Sequence, residues 1–402
     1  MSALRTAICA DFPEERWPSM DRVASMLHDE LRRSHERAVD VSMVCPPFAH
    51  RLTRLPIAGR TRLAFSADRF LNRFWRYPRT LENLTNDFDL FHIVDHSYAH
   101  LVHALPAHRT VVTCHDLDAF RSLLVPARER RSSAFRTMTR DILSGLQRAA
   151  RVTCDTAAIR DELVGRGLVA RDRVSVAPLG VSRTFSPAPD PPHDRAAAAL
   201  VQSPASAIEI LHVGSTVARK RIDVLLRVCS AVAIDFRDVR LVRVGDQLTA
   251  EQKTILRETG LSDRFVALSG VDEPTLAALY RRAALVLLPS DREGFGLPLI
   301  EAMACGTPAV VSDLSALHEV GGYAAEYCAA GDVNAWRATV TSLLRERQDD
   351  RARWQQRREK ARLRAGHFTW SRFAASIVDV YASIAAAACP VGPELAPPAI
   401  SV

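Results

Sequence analysis

The stretch SDREGFGLPLIEAMACGTPAVVSD, residues 290–313, decides the fold of this chain. It follows an apolar run, ALVLLPS at 284–290, which predicts a buried strand. We expect a helix to begin near Pro298, because the first helical turn tolerates a residue without an N–H group. The helix is expected to end near Gly306, since glycine commonly terminates helices. A buried strand, a short loop and a helix in this order are typical of a parallel α/β domain.

The loop inside this stretch has the chemistry of a site for a phosphorylated ligand. Gly294 and Gly296 allow the backbone to approach a ligand closely, and the free amides at the helix start attract anions. Glu293 in the loop and Glu301 in the helix can accept hydrogen bonds from the vicinal hydroxyls of a ribose or a hexose. The spacing of the two glutamates alone is also typical of a solvated surface loop. The glycines and Pro298, in the correct order around it, favour the ligand site.

A second segment, ILHVGSTVARKRIDVLL at 210–226, has a related design. A strand leads to a glycine turn at Gly214, and Arg219 and Lys220 follow at a helix start. Two cations at the positive end of a helix dipole repel each other unless an anion lies between them, and a diphosphate is such an anion. Lys220 is one of only three lysines in a chain that otherwise uses arginine. The alternative interpretation is a solvated basic pair.

Strands and helices alternate along both halves of the chain. Runs such as RTVVTCHD at 109–116 and VRLVRVG at 239–245 predict strands, and PSMDRVASMLHDELRRS at 18–34 predicts an amphipathic helix. This alternation predicts an α/β protein with two Rossmann-like domains facing across a cleft.

The expected domain boundaries follow from composition. We predict an N-terminal Rossmann-like domain at 1–186, a proline- and alanine-rich linker at 187–206 and a C-terminal Rossmann-like domain at 207–368. A helix at 369–388 is expected to pack back on the N-terminal domain, and residues 389–402 are expected to form a disordered tail.

Composition narrows the class of protein. The chain has no run of 18 apolar residues, so no transmembrane helix is expected, and the acids Asp11, Glu14 and Glu15 argue against a secretory signal. The eight cysteines form neither a C-x-x-C pair nor a zinc pattern, which favours reduced thiols in a cytoplasmic protein. The net charge of +7 favours an acidic partner, and a phosphate-bearing substrate, anionic lipid and nucleic acid all fit it.

At this point the residues carry a resemblance to a known family. The matching motifs are VGSTVARK (213–220), LVRVGD (241–246), FVALSGVDE (265–273), LLPSDREGFGLPLIEAMACGTPAVVSD (287–313), FTWSRF (368–373), VVTCHDL (111–117) and VAPLGVSRTFSP (176–187). With these motifs the chain resembles glycosyltransferase family 4, whose members are retaining enzymes of the GT-B fold. The motifs cover nearly the whole chain.

The resemblance implies roles for the donor side. Arg219 and Lys220 would hold the donor diphosphate and stabilise the leaving group. Glu301 would bind the nucleotide ribose, and Glu293 would hold hydroxyls of the donor sugar. The remaining implied donor-binding residues are Gly214 and Gly294, the amides of Phe295, Gly296 and Leu297 at the phosphates, and the turn Gly270-Val271 beside the base.

Two departures from the family pattern affect these roles. Many members have an arginine directly after the strand glycine, where this chain has Ser215. We expect Arg219 to supply the second positive charge instead. The first strand-to-helix turn is often glycine-rich, but here it reads EERWPSM at 14–20, so its contact with donor or acceptor is not implied.

His115 is the candidate catalytic residue of the N-terminal half, because it follows the strand at 109–116 at an end expected to face the cleft. A lone histidine at this place more often satisfies backbone groups. The resemblance favours a position beside the transferred sugar, and His96 is a weaker candidate for the same cleft.

The implied reaction moves a sugar from a nucleotide-diphosphate sugar to a saccharide or lipid-linked acceptor. Cations and amides can stabilise the diphosphate without a metal, and no D-x-D motif of the metal-dependent kind stands out, so neither a metal nor another cofactor is expected. Retention, with the leaving phosphate assisting removal of the acceptor proton, follows from the resemblance alone.

Three other functions remain open at this stage. A dehydrogenase is disfavoured because no G-x-G-x-x-G follows a predicted strand. A GT-B sugar phosphorylase or epimerase would release different products, and a non-catalytic nucleotide-sugar sensor would bind the donor without turnover.

The segment 51–79 combines positive charge with aromatic residues. It has eight arginines and one acid, Asp68, so it can lie on an anionic membrane at the inner face of the bilayer. The alternative is a solvated segment whose aromatics pack on the N-terminal sheet. Nucleic acid is not expected as a partner, because no known binding module accompanies the charge. The arginines are 51, 54, 60, 62, 69, 73, 76 and 79.

Overall fold

Parallel strands form two separate six-stranded sheets, one in each half of the chain. A computed structural model describes residues 3–55, 61–204 and 206–388. The expected tail at 389–402, together with Arg60 of the basic segment, lies outside the described residues. The α/β class and the two Rossmann-like sheets predicted from the sequence are confirmed.

The first sheet has the strand order β2-β1-β3-β4-β5-β6, and every neighbouring pair is parallel. The helix predicted at 18–34 is present with the same bounds. The strands are β1 Leu4–Cys9, β2 Val39–Val44, β3 Leu90–Ile93, β4 Thr110–Cys114, β5 Arg151–Cys154 and β6 Val174–Val176, and the helices are α1 Pro18–Ser34, α2 Arg62–Leu71, α3 Tyr77–Glu82, α4 Arg121–Leu124, α5 Ser133–Arg148 and α6 Ala157–Gly165.

The second sheet has the order β12-β11-β10-β7-β8-β9 and is also parallel throughout. Its strands are β7 Ile208–Val213, β8 Val239–Val244, β9 Phe265–Leu268, β10 Leu285–Leu288, β11 Ala309–Ser312 and β12 Glu326–Cys328. The helices of this half are α7 Pro191–Val201, α8 Ile222–Asp235, α9 Ala250–Glu258, α10 Glu273–Arg282, α11 Leu297–Ala304, α12 Ser315–Gly321, α13 Val333–Asp349, α14 Arg351–Ala365 and α15 Trp370–Ala388.

The core of the second sheet is built from branched residues on adjacent strands. Ile210, Leu241 and Leu285 are fully buried, and Leu225 of α8 and Val340 of α13 pack in the same apolar cluster. Strands β10 and β11 are buried on both faces, which explains their continuous apolar runs. This packing fixes the strand ends from which the loops of the candidate site emerge.

The described residues divide into two compact units. One unit contains the residues up to Cys154, Glu162–Ala177 and the described residues from Ala374 onward, and the other contains Asp155–Asp161 and Pro178–Phe373. Helix α15 therefore belongs mainly to the first unit, where the Tyr381 hydroxyl lies 2.7 Å from Nδ1 of His92 on β3.

The region predicted as a linker, 187–206, contains a helix that its composition did not indicate. Helix α7 begins with Pro191 in its first turn, a position that proline favours. Asp194 of this helix pairs with Arg281 of α10 at 2.7 Å. The proline- and alanine-rich stretch is thus fixed to the second unit.

Candidate functional site

The loop between β10 and α11 has the geometry predicted from its glycines. Gly296 has φ 93° directly before α11, a left-handed conformation that favours glycine. A Cβ atom at Gly296 would lie 2.7 Å from Cδ2 of Leu317, so a larger residue would also displace that side chain. Helix α11 has Pro298 in its first turn and ends at Ala304, close to the expected Gly306. The predicted loop and helix start are confirmed in their order and position.

Arg219 and Lys220 lie in a single turn of 3-10 helix just before α8. The next residue, Arg221, has φ 49° and begins the α-helix from a left-handed conformation. This conformation is unusual for a residue with a side chain and costs backbone energy. The turn lies after β7, which is hydrogen-bonded to β10 in the sheet, so the two predicted segments are neighbours.

Glu293 joins the two segments through an ion-pair cluster. Lys220 Nζ lies 2.5 Å from Glu293 Oε1, and an Arg219 guanidinium nitrogen lies 3.3 Å from Oε2. The hydroxyl of Ser290 donates to Oε1 at 2.7 Å. Burial alone would raise the pKa of Glu293, but the charges of Lys220 and Arg219 hold that pKa below its usual value. The carboxylate is therefore ionised and shared by both cations.

A second set of contacts fixes the same two loops, and sequence reasoning missed it. Arg221 pairs with Asp291 at 2.9 Å and also with Asp223 at 2.9 Å. The amide of Asp291 donates to the carbonyl of Arg219 at 2.8 Å, and Arg219 donates to the carbonyl of Arg292 at 3.0 Å. The only indication of these contacts in the sequence was the run of three basic residues at 219–221.

Glu301 lies on α11 and is buried. The hydroxyl of Tyr280, a fully buried residue of α10, donates to Glu301 Oε2 at 2.8 Å. Tyr280 was not predicted as a site residue, because nothing in α10 marks one tyrosine for this contact. The structure thus places the two glutamates on one loop-and-helix unit, with different partners.

The remaining donor-side candidates lie at the same end of the second sheet. The carbonyl of Gly294 accepts a hydrogen bond from the Thr156 hydroxyl at 3.0 Å. The Phe295 ring is buried edge-on against Phe368. Gly270, which has φ 65°, and Val271 form the turn before α10. Leu297 is the first residue of α11, and Gly214 follows β7 directly.

His115 follows β4 in the first unit and is mostly buried. Its Nε2–H donates to the carbonyl of Val94 at 2.8 Å, the kind of backbone contact that the alternative interpretation predicted. The ring of His96 lies next to it, since the His115 amide approaches His96 Nδ1 at 3.4 Å. The two histidine candidates are therefore brought together.

His96 lies between two carboxylates. Asp95 is 3.3 Å from Nδ1, and Asp116 is 3.5 Å from Nε2. Burial lowers the pKa of His96, but Asp116 and Asp95 outweigh it, and the net pKa is raised. Asp11, after β1, was not predicted; burial, with the charge of Asp95, raises its pKa. The carboxyl ends of β1, β3 and β4 thus carry a cluster of acids and histidines.

Known proteins match both halves of the chain. The family model described as "Glycosyltransferase Family 4" matches residues 22–185, and the model described as "Glycosyl transferases group 1" matches residues 201–361. A GDP-mannose-dependent alpha-(1-6)-phosphatidylinositol dimannoside mannosyltransferase of Mycobacterium tuberculosis is 32% identical over 283 residues. That alignment covers 69% of this chain and 68% of the relative.

Solved structures share the fold. Sucrose-phosphate synthase from Thermosynechococcus elongatus superimposes with a TM-score of 0.72 and 20% identity, over 96% of this chain and all of that chain. Anabaena HepE, solved in complex with UDP and glucose, gives a TM-score of 0.69 and 16% identity, over 94% of this chain and all of the other.

Proposed function

Because the chain belongs to glycosyltransferase family 4 and is a hexosyltransferase of the GT-B fold, we propose that it uses a nucleotide-diphosphate hexose as donor, with retention and without a metal. The observation that carries the proposal is the cluster of Arg219, Lys220 and Glu293 between two adjacent strand ends. Two cations on one buried carboxylate leave positive charge for a further anion. A diphosphate matches that charge.

The donor diphosphate would compete with Glu293 for the two cations, because phosphate and carboxylate oxygens are acceptors of the same type. Lys220 and Arg219 then stabilise the charge that develops on the leaving group as the glycosidic bond breaks. The released lone pairs of Glu293 become available to hydroxyls of the transferred sugar. Glu301, already oriented by Tyr280, holds the ribose.

We assign the acceptor to the first unit. His115 and His96 would lie beside the transferred sugar, and Asp95 and Asp116 hold the His96 ring in place. A front-face attack by the acceptor hydroxyl, with its proton passing to the leaving phosphate, accounts for retention. The named activity of the mycobacterial relative supports a lipid-linked or saccharide acceptor.

The basic segment supports a peripheral contact with anionic membrane. Leu63, Phe70 and Trp75 on and after α2 are exposed, and arginines at 62, 69 and 79 are exposed beside them. Exposed aromatic and aliphatic side chains with cations are typical of interfacial helices. Within the described part of the chain, no helix has both the length and the apolar character needed to cross a bilayer.

The donor is tested by thermal shift with UDP-, GDP- and ADP-hexoses, followed by assay of nucleotide release. Binding to the folded state raises the melting temperature, and the rise grows with the ratio of ligand concentration to Kd. Release of a nucleoside diphosphate together with a glycosylated acceptor supports the proposal. Release of a sugar phosphate indicates a phosphorylase, and binding without turnover of any acceptor indicates a sensor.

A further inference from the structure

Two basic side chains lie beneath the glycine turn that follows β7. His212 of β7 and Arg243 of β8 are directly paired in the parallel register, so they share one face of the sheet. Both are fully buried, at 0% exposure. Basic residues are rarely buried to this extent unless a partner or a ligand compensates them.

Arg243 has hydrogen bonds to backbone carbonyls but no ion pair among the described residues. One guanidinium nitrogen donates to the carbonyl of Gly214 at 2.8 Å, and another donates to the carbonyl of Asp246. Its Nε has no partner, and no carboxylate of the described residues forms an ion pair with it. Burial lowers the pKa of Arg243, and the negative charge of Asp246 offsets this in part; the guanidinium remains protonated. A buried charge without an ion pair reduces stability, so its retention needs another reason.

His212, like Arg243, has buried polar atoms without hydrogen-bond partners. Neither of its ring nitrogens has a hydrogen-bond partner in the described chain, and burial lowers its pKa, so the ring is neutral. One nitrogen of a neutral imidazole carries a proton that needs an acceptor. A Cβ atom at Gly214 would lie 3.4 Å from Cε1 of His212 and 3.8 Å from Cδ of Lys220. The Gly214 turn therefore lies close to the side chains of His212 and Lys220.

The two glycine turns of the sheet pack directly on each other. A Cβ atom at Gly245 would lie 2.0 Å from the carbonyl oxygen of Gly214, so only glycine fits. Arg243 holds the Gly214 carbonyl and the Asp246 carbonyl from below. The Gly214 amide also donates to the carbonyl of Val244 at 3.0 Å, so the turn beside Lys220 is fixed jointly by the backbone and by one buried guanidinium.

We propose that Arg243, together with His212, is a positioning residue for the donor diphosphate. Arg243 does not contact the diphosphate; it fixes the Gly214 turn and adds buried positive charge beneath that turn. This inference rests on the proposed function, because it takes the diphosphate subsite from there. It adds to the diphosphate subsite a buried cation, Arg243 of β8, whose charge the bound diphosphate would compensate. No residue of β8 was previously assigned to that subsite.

The test compares wild-type protein with Arg243→Met and Arg243→Gln, using Arg240→Met on the same strand as the matched control. The probes are inorganic pyrophosphate, whichever of UDP, GDP and ADP binds the wild type, and the corresponding free nucleoside. We expect both Arg243 variants to lose about tenfold or more in pyrophosphate and nucleoside diphosphate affinity, as for loss of one charge-assisted interaction. Nucleoside affinity and the control are expected to change little.

Stability separates this role from a purely structural one. Arg243→Met removes a desolvated charge but also leaves the Gly214 and Asp246 carbonyls without this donor, so the two effects on stability oppose each other. The variant is therefore expected to melt close to the wild-type temperature while binding pyrophosphate more weakly. Arg243→Gln keeps a hydrogen-bond donor for the Gly214 carbonyl but has no charge. It replaces Arg243→Met in the binding measurements if the Met variant does not fold. Arg243→Lys should recover part of the lost affinity.

Three results would overturn the inference. If Arg243→Gln binds pyrophosphate as tightly as the wild type does, the charge of Arg243 has no role in diphosphate binding. Equal losses of nucleoside and pyrophosphate affinity, with a lower melting temperature, indicate a structural role only. A wild type that binds no diphosphate at all contradicts the proposed function itself, which distinguishes that failure from the other two.

Discussion

The Nζ atom of Lys220 lies 2.5 Å from Oε1 of Glu293, although 73 residues separate them in the chain. Each residue follows a strand, and the two strands, β7 and β10, are neighbours in the sheet. The pair therefore depends on sheet order rather than on local sequence. It combines the loop of Lys220 and the loop of Glu293 into one charged cluster.

Lys220→Ala is expected to slow sugar transfer and weaken donor binding, because the developing charge on the leaving diphosphate loses its nearest cation. The cost should be about 2–4 kcal/mol in kcat/KM terms. Steady-state kinetics measure it. Lys253→Ala, on the exposed face of α9, is the matched control and should behave as wild type. Full activity in Lys220→Ala would contradict the assignment.

The two glutamates are expected to respond differently to loss of charge. Glu301→Gln should weaken both the donor and the free nucleoside diphosphate, since both contain the ribose. Glu293→Gln should lower turnover and leave nucleoside diphosphate affinity unchanged or higher, because the cations no longer have a competing carboxylate. Calorimetry with the nucleoside diphosphate distinguishes them, and equal losses in both variants would be inconsistent with these roles.

Transfer is expected to continue in EDTA. In the proposed site, Arg219, Lys220 and the amides at the start of α11 would provide the positive charge that a divalent ion provides in other transferases. Activity is measured before and after chelation, and again after addition of magnesium or manganese. Loss of transfer with EDTA and its recovery with either ion would show that the proposed metal-independent site is wrong.

His92 is expected to make stability depend on pH below neutrality. Burial, with a smaller contribution from His115, lowers its pKa to about 3, whereas an unfolded histidine titrates near pH 6.5. Between these values the unfolded state binds the proton, so stability is full above about pH 6.5 and falls as the pH decreases, by about 1.4 kcal/mol per pH unit.

Urea unfolding of wild type and His92→Gln between pH 7.5 and 5 measures this contribution. Glutamine keeps a donor and an acceptor but does not titrate, so the variant should show a shallower dependence. His100, whose pKa burial also lowers to about 3, remains in both proteins and leaves a residual slope. If the free energy of unfolding depends on pH equally in the two proteins, His92 is not the group responsible.

Membrane contact is tested by sedimentation with liposomes of increasing anionic lipid content at low and high salt. We expect binding that rises with anionic content and weakens with salt, each surface cation contributing about 1 kcal/mol. Leu63→Gln with Phe70→Gln should reduce it, and Ile234→Gln, at an apolar residue on α8 whose exposure lies between those two, should not. Recovery in the supernatant under every condition would exclude the contact.

The sequence predicted what depends on local patterns. Helix α1 has the bounds predicted from its apolar spacing, and the loop before Pro298 has the positive φ that Gly296 permits. Helix α7 was missed because prolines and alanines dominate its segment, although Pro191 is compatible with a first helical turn.

The contacts between distant segments could not be predicted in the same way. Tyr280 meets Glu301, and Arg243 reaches Gly214, only because α10 and β8 are placed there by the sheet order. Periodicity identifies which face of an element is apolar, but it does not identify the neighbouring element. Buried polar partners of the candidate site were therefore found only in the structure.

The contact between His92 and Tyr381 also has a consequence for the order of synthesis. The ribosome makes β3 early, but the hydroxyl that faces His92 Nδ1 belongs to residue 381, near the end of the described chain. The first sheet can pair its strands during translation, yet this ring nitrogen has its native partner only after the whole second sheet has emerged. A nascent chain stalled before α15 should therefore hold a less stable N-terminal unit than the finished protein.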